Sequence, residues 1–385
     1  MSARNIRFRT GYPMRHRTLP LSLRLLLVAV AVPALAFGGT KASIKQAAQA
    51  AVCPALPVFA NTLYNSFDEN AATSYRAGVA TLLIQEDFST LDCLADNART
   101  TKAQFSSGMW KIHVLYAGLA QPKQHPTVQD WTAYLESLGR WTAENPGSIT
   151  ARIAFAHAYL DYAWEGNPTT VSPRAWKQFA ERVGKAEEIA NQASKLPAKD
   201  PELFVVQMQI AQDRGLDRPA MTDLLKRAVA FEPGYQYYYG IYATYLLPKW
   251  QGQEGDTQKF AAQAADKIGG KAGDVLYFQI AAAQVCHCGD DQITLKSFSW
   301  PRIQKGFAAQ EERAGSSLFN INQMAFLAIV FDDPVFADKQ FNRLGDRWSA
   351  EVWHTPDYFA QTKSSVAEIV TAAAAKQTQT SAEGK

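Results

Sequence analysis

Apolar residues that recur three and four positions apart constrain this chain more than any other feature. Stretches such as TARIAFAHAYLDYAW, AWKQFAERVGKAEEIANQAS and TQKFAAQAADKIGG combine that spacing with Ala, Gln, Glu and Lys, the pattern of amphipathic α-helices. No convincing run alternates apolar and polar residues as a half-buried strand does. Proline punctuates the pattern. Asn145-Pro146, Asp200-Pro201, Glu232-Pro233 and Asp333-Pro334 each set an acid or Asn before a proline, and at a first helical position the missing N–H costs nothing. The expected fold class is all-α.

Three of these prolines are followed by an apolar helix: SITARIAFAHAYL, ELFVVQMQIAQ and GYQYYYGIYATYLL. From Pro201 to Pro233 is 32 residues, close to the ~34-residue helix-turn-helix period of tetratricopeptide repeats. The second helix of that unit ends as such repeats do, with Ala228 five residues before Pro233. Gln209 stands where a small residue is expected, and the 55 residues from Pro146 to Pro201 break the period. The reading is therefore degenerate, tetratricopeptide-like antiparallel helix pairs stacked into a curved array over residues 141–366, with an N-terminal helical region over residues 43–140. Beyond Val370 no large apolar residue remains, and residues 371–385 read as a low-complexity, disordered tail.

The N-terminus reads as an export signal. Six arginines from Arg4 to Arg24 precede an apolar run, Leu25 to Ala36, that ends in the small-x-small triplet Ala34-Leu35-Ala36. Twelve apolar residues fall short of the ~20 a spanning helix needs, so residues 1–36 are expected to be cleaved, leaving Phe37 first. No Arg-Arg pair points to twin-arginine export, and Cys53 lies too far from the run to anchor a lipid. A periplasmic or secreted location follows, with no stable membrane span after cleavage. Cleavage removes six arginines and no acid, taking the formal charge from +3 to −3. A mildly acidic chain argues against nucleic-acid binding, which needs clustered Lys and Arg. At 47% hydrophobic and 19% charged, the chain is too apolar for extensive disorder.

The segments FSTLDCLAD, GMWKI at residues 108–112, Trp141 with Pro146 and Ser148, FAERVGKA, LYFQIA, WPRIQKGF, FNINQMAFLAIVFDD and above all YATYLLPKWQGQEGD at residues 242–256 form a composite motif. Together they resemble a family of exported bacterial helical domains of unknown function. The resemblance runs from Phe88 to Trp353 and implies a tetratricopeptide-like fold, without an activity, cofactor or catalytic residue to carry over. The family's Arg-Gly-containing extension after its Ala-Trp pair is replaced here by EGNPTTV after Ala163-Trp164.

No HExxH, GxSxG, Walker loop, GxGxxG or calcium-loop spacing occurs, and no cofactor, metal site or catalytic residue is assigned. Gly252-Gln253-Glu254-Gly255-Asp256 reads as a connection between helices. Cys53 and Cys93 bracket the first helices, and in an oxidising compartment their disulfide is the default. Cys286-His287-Cys288 stays open between a copper, zinc or redox site and a loop whose thiols pair with each other or with the first two. His157, on a stripe with Ile153, Leu160 and Trp164, and His113 read as hydrogen-bonded core residues.

Recognition falls to aromatics. Tyr235, Tyr238, Tyr242 and Tyr245 share one helix face, with Trp250 just beyond it, and tyrosine suits a binding groove because a stiff body carries a polar tip. The expected function is an exported, non-catalytic protein that holds a peptide or protein partner in the cell envelope through that groove. The alternative is an envelope enzyme or metal/redox protein using Cys286-His287-Cys288.

Overall fold

The computed structural model describes residues 53–54, 56, 70–120, 122–123, 126–165, 172–285 and 295–383, all within one unit spanning residues 51–385. The expected signal, residues 1–36, and Cys286-His287-Cys288 lie outside the described residues. Sixteen helices and no strand are found among those described, and no helix there is long and apolar enough to cross a membrane.

The helices are α1 (Asn70–Ile84), α2 (Phe88–Thr101), α3 (Lys111–Gly118), α4 (Val128–Glu144), α5 (Ile149–Trp164), α6 (Pro173–Ser194), α7 (Pro201–Asp213) and α8 (Arg218–Phe231). They continue with α9 (Tyr237–Tyr245), α10 (Asp256–Ile268), α11 (Gly270–Ala283), α12 (Trp300–Ala314), α13 (Leu318–Val330), α14 (Pro334–Leu344), α15 (Ala350–Trp353) and α16 (Pro356–Glu383). From α5 onward they alternate between two kinds. First helices α5, α7, α9, α11 and α13 touch one another in succession, and each also packs on the second helix that follows it, α6, α8, α10, α12 or α14. Neighbours on several sides explain why first helices are apolar nearly all round. Second helices bury one stripe only, as α6 does through Val183, Ala186, Ala190 and Ala193. This is the all-α array of helix pairs that the periodicity implies.

Capping residues set the starts. Ser148, Ser172, Asp200, Asp217 and Asp333 each accept a backbone N–H of the first turn, satisfying a donor that the helix leaves unpaired. Pro201 and Pro334 open α7 and α14 as expected. Pro146 and Pro233 do not, because α5 and α9 begin at Ile149 and Tyr237, after short turns. Two glycines allow close helix approach: a Cβ at Gly273 would meet the Ala265 carbonyl oxygen at 2.2 Å, and one at Gly306 the Asp274 oxygen at 2.0 Å.

The C-terminal segment differs from expectation. Helix α16 runs to Glu383, so residues 371–383 are helical where low complexity suggested disorder. Ala, Gln, Glu and Lys are strong helix formers and continue a helix that Phe359 and Val366 anchor in the core. The Cys53–Cys93 disulfide is present, with Cα atoms 5.7 Å apart, and ties the segment before α1 to α2.

Several segments of the composite motif meet as struts. Asp92 of FSTLDCLAD accepts hydrogen bonds from Trp141 Nε1 at 3.2 Å, Asn145 Nδ2 at 2.8 Å and Ser148 Oγ at 2.5 Å, fixing α2 to the α4–α5 turn. Trp300 of WPRIQKGF donates to Asp333 at 3.0 Å. In YATYLLPKWQGQEGD, Asp256 accepts from Gln253 N and pairs with Arg218, so this segment is a structural connection. A Cβ at Gly252 would collide with the Leu246 carbonyl.

Candidate functional site

Because first helices alternate with antiparallel second helices, their N-terminal ends gather on one side of the array and their C-terminal ends on the other. Each side collects chemistry-bearing residues.

At the N-terminal ends, the chain's own α2–α3 segment is bound. Arg99, in the last turn of α2, reaches Asp200 Oδ2 at 2.6 Å and Thr150 Oγ1 at 3.0 Å. Tyr116 of α3 donates to the same Asp200 oxygen at 2.7 Å. Glu202, two residues on and fully buried, faces His113 Nδ1 at 3.0 Å and His157 Nε2 at 3.0 Å, and accepts the Tyr235 hydroxyl. The His113 ring stacks on Tyr237 with centroids 3.4 Å apart. The loop between α2 and α3 continues the attachment: Trp110 N donates to Tyr237 Oη at 3.2 Å, Gln236 Nε2 to Gly108 O at 2.8 Å and Asn320 Nδ2 to Ser107 O at 3.1 Å. Lys102 pairs with Glu232.

Burial works against the Glu202 charge, yet the two histidines hold its carboxyl at about 2. Burial alone would depress the His157 imidazolium, but the hydrogen bond to Glu202 and its charge raise it. Two buried acids sit where helix N-termini favour negative charge, and the donors that face them come from this chain. The arrangement clamps α3 onto α5 and α7. Among the described residues no cluster of three or more His, Cys, Asp or Glu side chains is arranged to hold a metal ion.

The expected tyrosine groove is corrected here. Tyr235, Tyr238, Tyr242 and Tyr245 are all buried. Tyr235 packs on Trp110, Tyr238 on Phe204 of α7 and Tyr242 on Phe260 of α10. The Tyr242 hydroxyl meets Thr222 Oγ1 at 2.6 Å, and Tyr245 donates to Leu216 O at 2.9 Å. A first helix enclosed by neighbours has no face left to line a groove, so the stripe is core. Trp250, half-buried, belongs to the opposite side of the array.

At the C-terminal ends of α5, α7 and α9, aromatic side chains reach solvent. Trp164, the last residue of α5, is 39% exposed and Trp176, in the first turn of α6, is 48% exposed. Phe179 lies between them, 5.1 Å from Trp164 and 5.8 Å from Trp176, and Trp250 stands 6.1 Å from Trp164. Every pair is close to perpendicular, at 78°, 84° and 84°. Trp164 Nε1 donates to Asp213 Oδ2 at 3.2 Å. Burial pushes the Asp213 carboxyl up to about 7 against that hydrogen bond, and burial raises Asp161, one turn before Trp164, to about 6. No Lys or Arg pairs with either acid among the described residues. Helix α6 has 22 residues and α5 has 16, so α6 is longer by about 9 Å at ~1.5 Å per residue. Its first two turns are largely exposed.

Two shallow grooves lie elsewhere. One, of about 390 Å³, has Ala190, Ile210, Ala211 and Leu224 among its lining residues, with Arg214 and Arg227 beside them. The other, of about 340 Å³, is lined by Asp274, Ser299, Pro301, Arg302 and Lys305. Neither includes Glu202, Asp200 or a histidine.

Compared with known families, curated proteins and solved structures, the chain matches none.

Sequence reasoning placed His157 correctly as a hydrogen-bonded buried residue, whereas His113 is hydrogen-bonded but half-buried; it did not find Glu202 or Asp200. The signal for those was present: acids at the cap and second position of a helix otherwise made of apolar residues. The Trp164–Trp176–Phe179 cluster was also missed, although Trp176 is a large apolar residue outside the buried stripe of α6.

Proposed function

We propose that this is an exported, non-catalytic helical-array protein that holds a peptide or protein partner in the cell envelope, and that it belongs with the exported helical domains its motifs resemble. The partner surface in this reading is the exposed aromatic cluster at the C-terminal ends of the first helices, not the tyrosine stripe. The observation that carries it is three tryptophans and a phenylalanine gathered at one end of the array, Trp164 and Trp176 exposed and Phe179 and Trp250 half-buried. Trp is a preferred interface anchor because it buries a large area at low entropic cost, and contiguous exposed apolar surface marks interaction sites. The Cys53–Cys93 disulfide supports an oxidising compartment, as the N-terminal signal pattern does.

The non-catalytic part rests on the Asp200–Glu202 cluster. Its acids are engaged by Arg99, Tyr116, His113, His157 and Tyr235, which leaves them occupied as anchors. The test is quantitative capture from envelope extracts by the wild-type chain and by Trp176→Ala. A species retained by the wild type and lost from a variant with an unchanged melting temperature is the expected result. Equal capture by both would remove the aromatic cluster as the partner surface.

A further inference from the structure

The reading of the aromatic cluster as a partner surface leaves its ligand chemistry open, and the side chains around it narrow that chemistry. We propose that the cluster seats an arginine or lysine side chain of a basic peptide segment, its charged group pairing with Asp213 and lying on the faces of Trp164, Trp176 and Trp250. This inference rests on the partner-surface reading and goes beyond it by naming the ligand class.

The first support is an acid without a counter-charge. Asp213 is half-buried and accepts only the Trp164 indole N–H among the hydrogen bonds of the described residues. Other acids nearby are engaged: Glu187 holds Arg214 at 2.7 Å, and Glu181 faces Lys177 at 3.8 Å. A half-buried carboxylate with no cation destabilises a fold unless something else uses it, and its carboxyl rises to about 7 accordingly.

The second support is the polarity of the helix ends. Asp213 and Trp164 are the last residues of α7 and α5, where unpaired carbonyls give a helix its negative end and favour cations. Glu165, the exposed residue capping α5, adds a further negative charge.

The third is the ring arrangement. Indole faces attract guanidinium and ammonium groups, and the near-perpendicular packing of Trp164 against Trp250 and Phe179 turns neighbouring faces in different directions. The chain itself uses this chemistry close by, where the Arg182 guanidinium lies 3.4 Å from the Tyr162 ring centroid. Of the chain's own cations on α6, Arg174 lies about 200° around the helix from Trp176 at ~100° per residue, Lys177 faces Glu181, and Arg182 is taken up by Tyr162, lying over its ring and donating to its carbonyl oxygen.

Exposed tryptophans also stack on sugars, so a glycan is the competing ligand class. A carboxylate lacking a cation favours the basic side chain. The experiment titrates protein purified from the envelope fraction, at fixed ionic strength, with three probes: acetylated and amidated tetra-arginine, the corresponding tetra-glutamate, and chitotetraose. Saturable binding of tetra-arginine alone is expected, weakened about fivefold or more by Trp176→Ala and by Asp213→Asn. Both variants should keep the helical circular-dichroism signal. Equal binding of tetra-arginine by wild type and both variants would mean diffuse attraction to an acidic chain and would overturn the proposal. So would chitotetraose binding that Trp176→Ala abolishes, or no saturable tetra-arginine binding. If tetra-arginine fails while envelope capture still depends on Trp176, the basic ligand falls and the partner surface stands; if both fail, the partner surface falls too.

Discussion

The two ends of the first helices carry the same kit of acids and aromatic rings and use it in opposite ways. At the N-terminal ends, Asp200 and Glu202 sit where the helix dipole welcomes negative charge and are held by Arg99, Tyr116, His113, His157 and Tyr235. At the C-terminal ends, Asp161 and Asp213 sit where the dipole opposes negative charge, and Asp213, held only by the exposed Trp164, has no cation among the described residues. The first end is closed by the chain's own α2–α3 segment. The second is left unsatisfied, and an unsatisfied, solvent-facing cluster is what an external partner can complete. Burial of an acid is therefore not informative by itself; what decides is whether the fold supplies its counter-charge.

The largest way to break this comparison is at Glu202. Glu202→Gln removes the carboxylate facing two histidines and should lower unfolding stability by about 3–5 kcal/mol, the range for breaking a buried charge pair, as read by urea denaturation. A loss below about 1 kcal/mol would mean that the cluster does not clamp α3. Next comes the staple of the same N-terminal region. With Cys53 and Cys93 separated by 40 positions in sequence, replacing both cysteines with serine should cost about 4 kcal/mol in the chain-entropy model. Reducing the wild type should reproduce that loss.

A pH series reads the ionisable groups at both ends. The folded-state pKa of His157 is raised, so its contribution is fully present below the unfolded value of ~6.5 and is lost as pH rises through the folded value. The Glu202 carboxyl is depressed to about 2, so its contribution is present above ~4.3 and fades as pH falls toward 2. Asp161 and Asp213, raised to about 6 and about 7, bind protons more tightly folded than unfolded, and their burial weakens the fold progressively from ~3.9 up to those values. All but Glu202 favour the acid side of neutrality. Stability should therefore be greater near pH 5 than at pH 8, and Asp213→Asn should raise it more at pH 8 than at pH 4.5. A variant equally stabilised at both values would show that the acid does not titrate across this window.

The smallest expected effect is on the exposed ring. Trp176→Ala should change stability by no more than about 0.5 kcal/mol, as exposed substitutions do, while weakening partner capture. Tyr238→Ala, a fully buried ring, should instead cost about 3–5 kcal/mol. Comparable losses for the two would erase the distinction between core and surface aromatics.

Local patterns were legible in the sequence because they depend on neighbours in the chain. The three-four periodicity of SITARIAFAHAYL, the caps at Asp200 and Asp333 and the Cys53–Cys93 pair all led to what the fold contains. The tyrosine stripe misled for a physical reason: Tyr235 precedes α9, and three rings on one face of α9 mark an amphipathic helix only if another face is wet, whereas α9 lies among α7, α8, α10 and α11. The Glu202 cluster draws His113 from 89 residues away, and no local spacing reveals such a meeting. Trp164 looked like part of the α5 core stripe, and only its place at the helix end brings it to solvent. Residues 371–383 show that low complexity built from Ala and Gln is a helix-forming composition.

Site-specific photo-crosslinking in cells tests the contrast between the two ends most directly, with the photoreactive residue placed at 176 in one protein and at 236 in another. The account predicts partner adducts from position 176, and from position 236 only internal crosslinks to the 105–110 segment. A partner adduct from position 236, with none from 176, would contradict it.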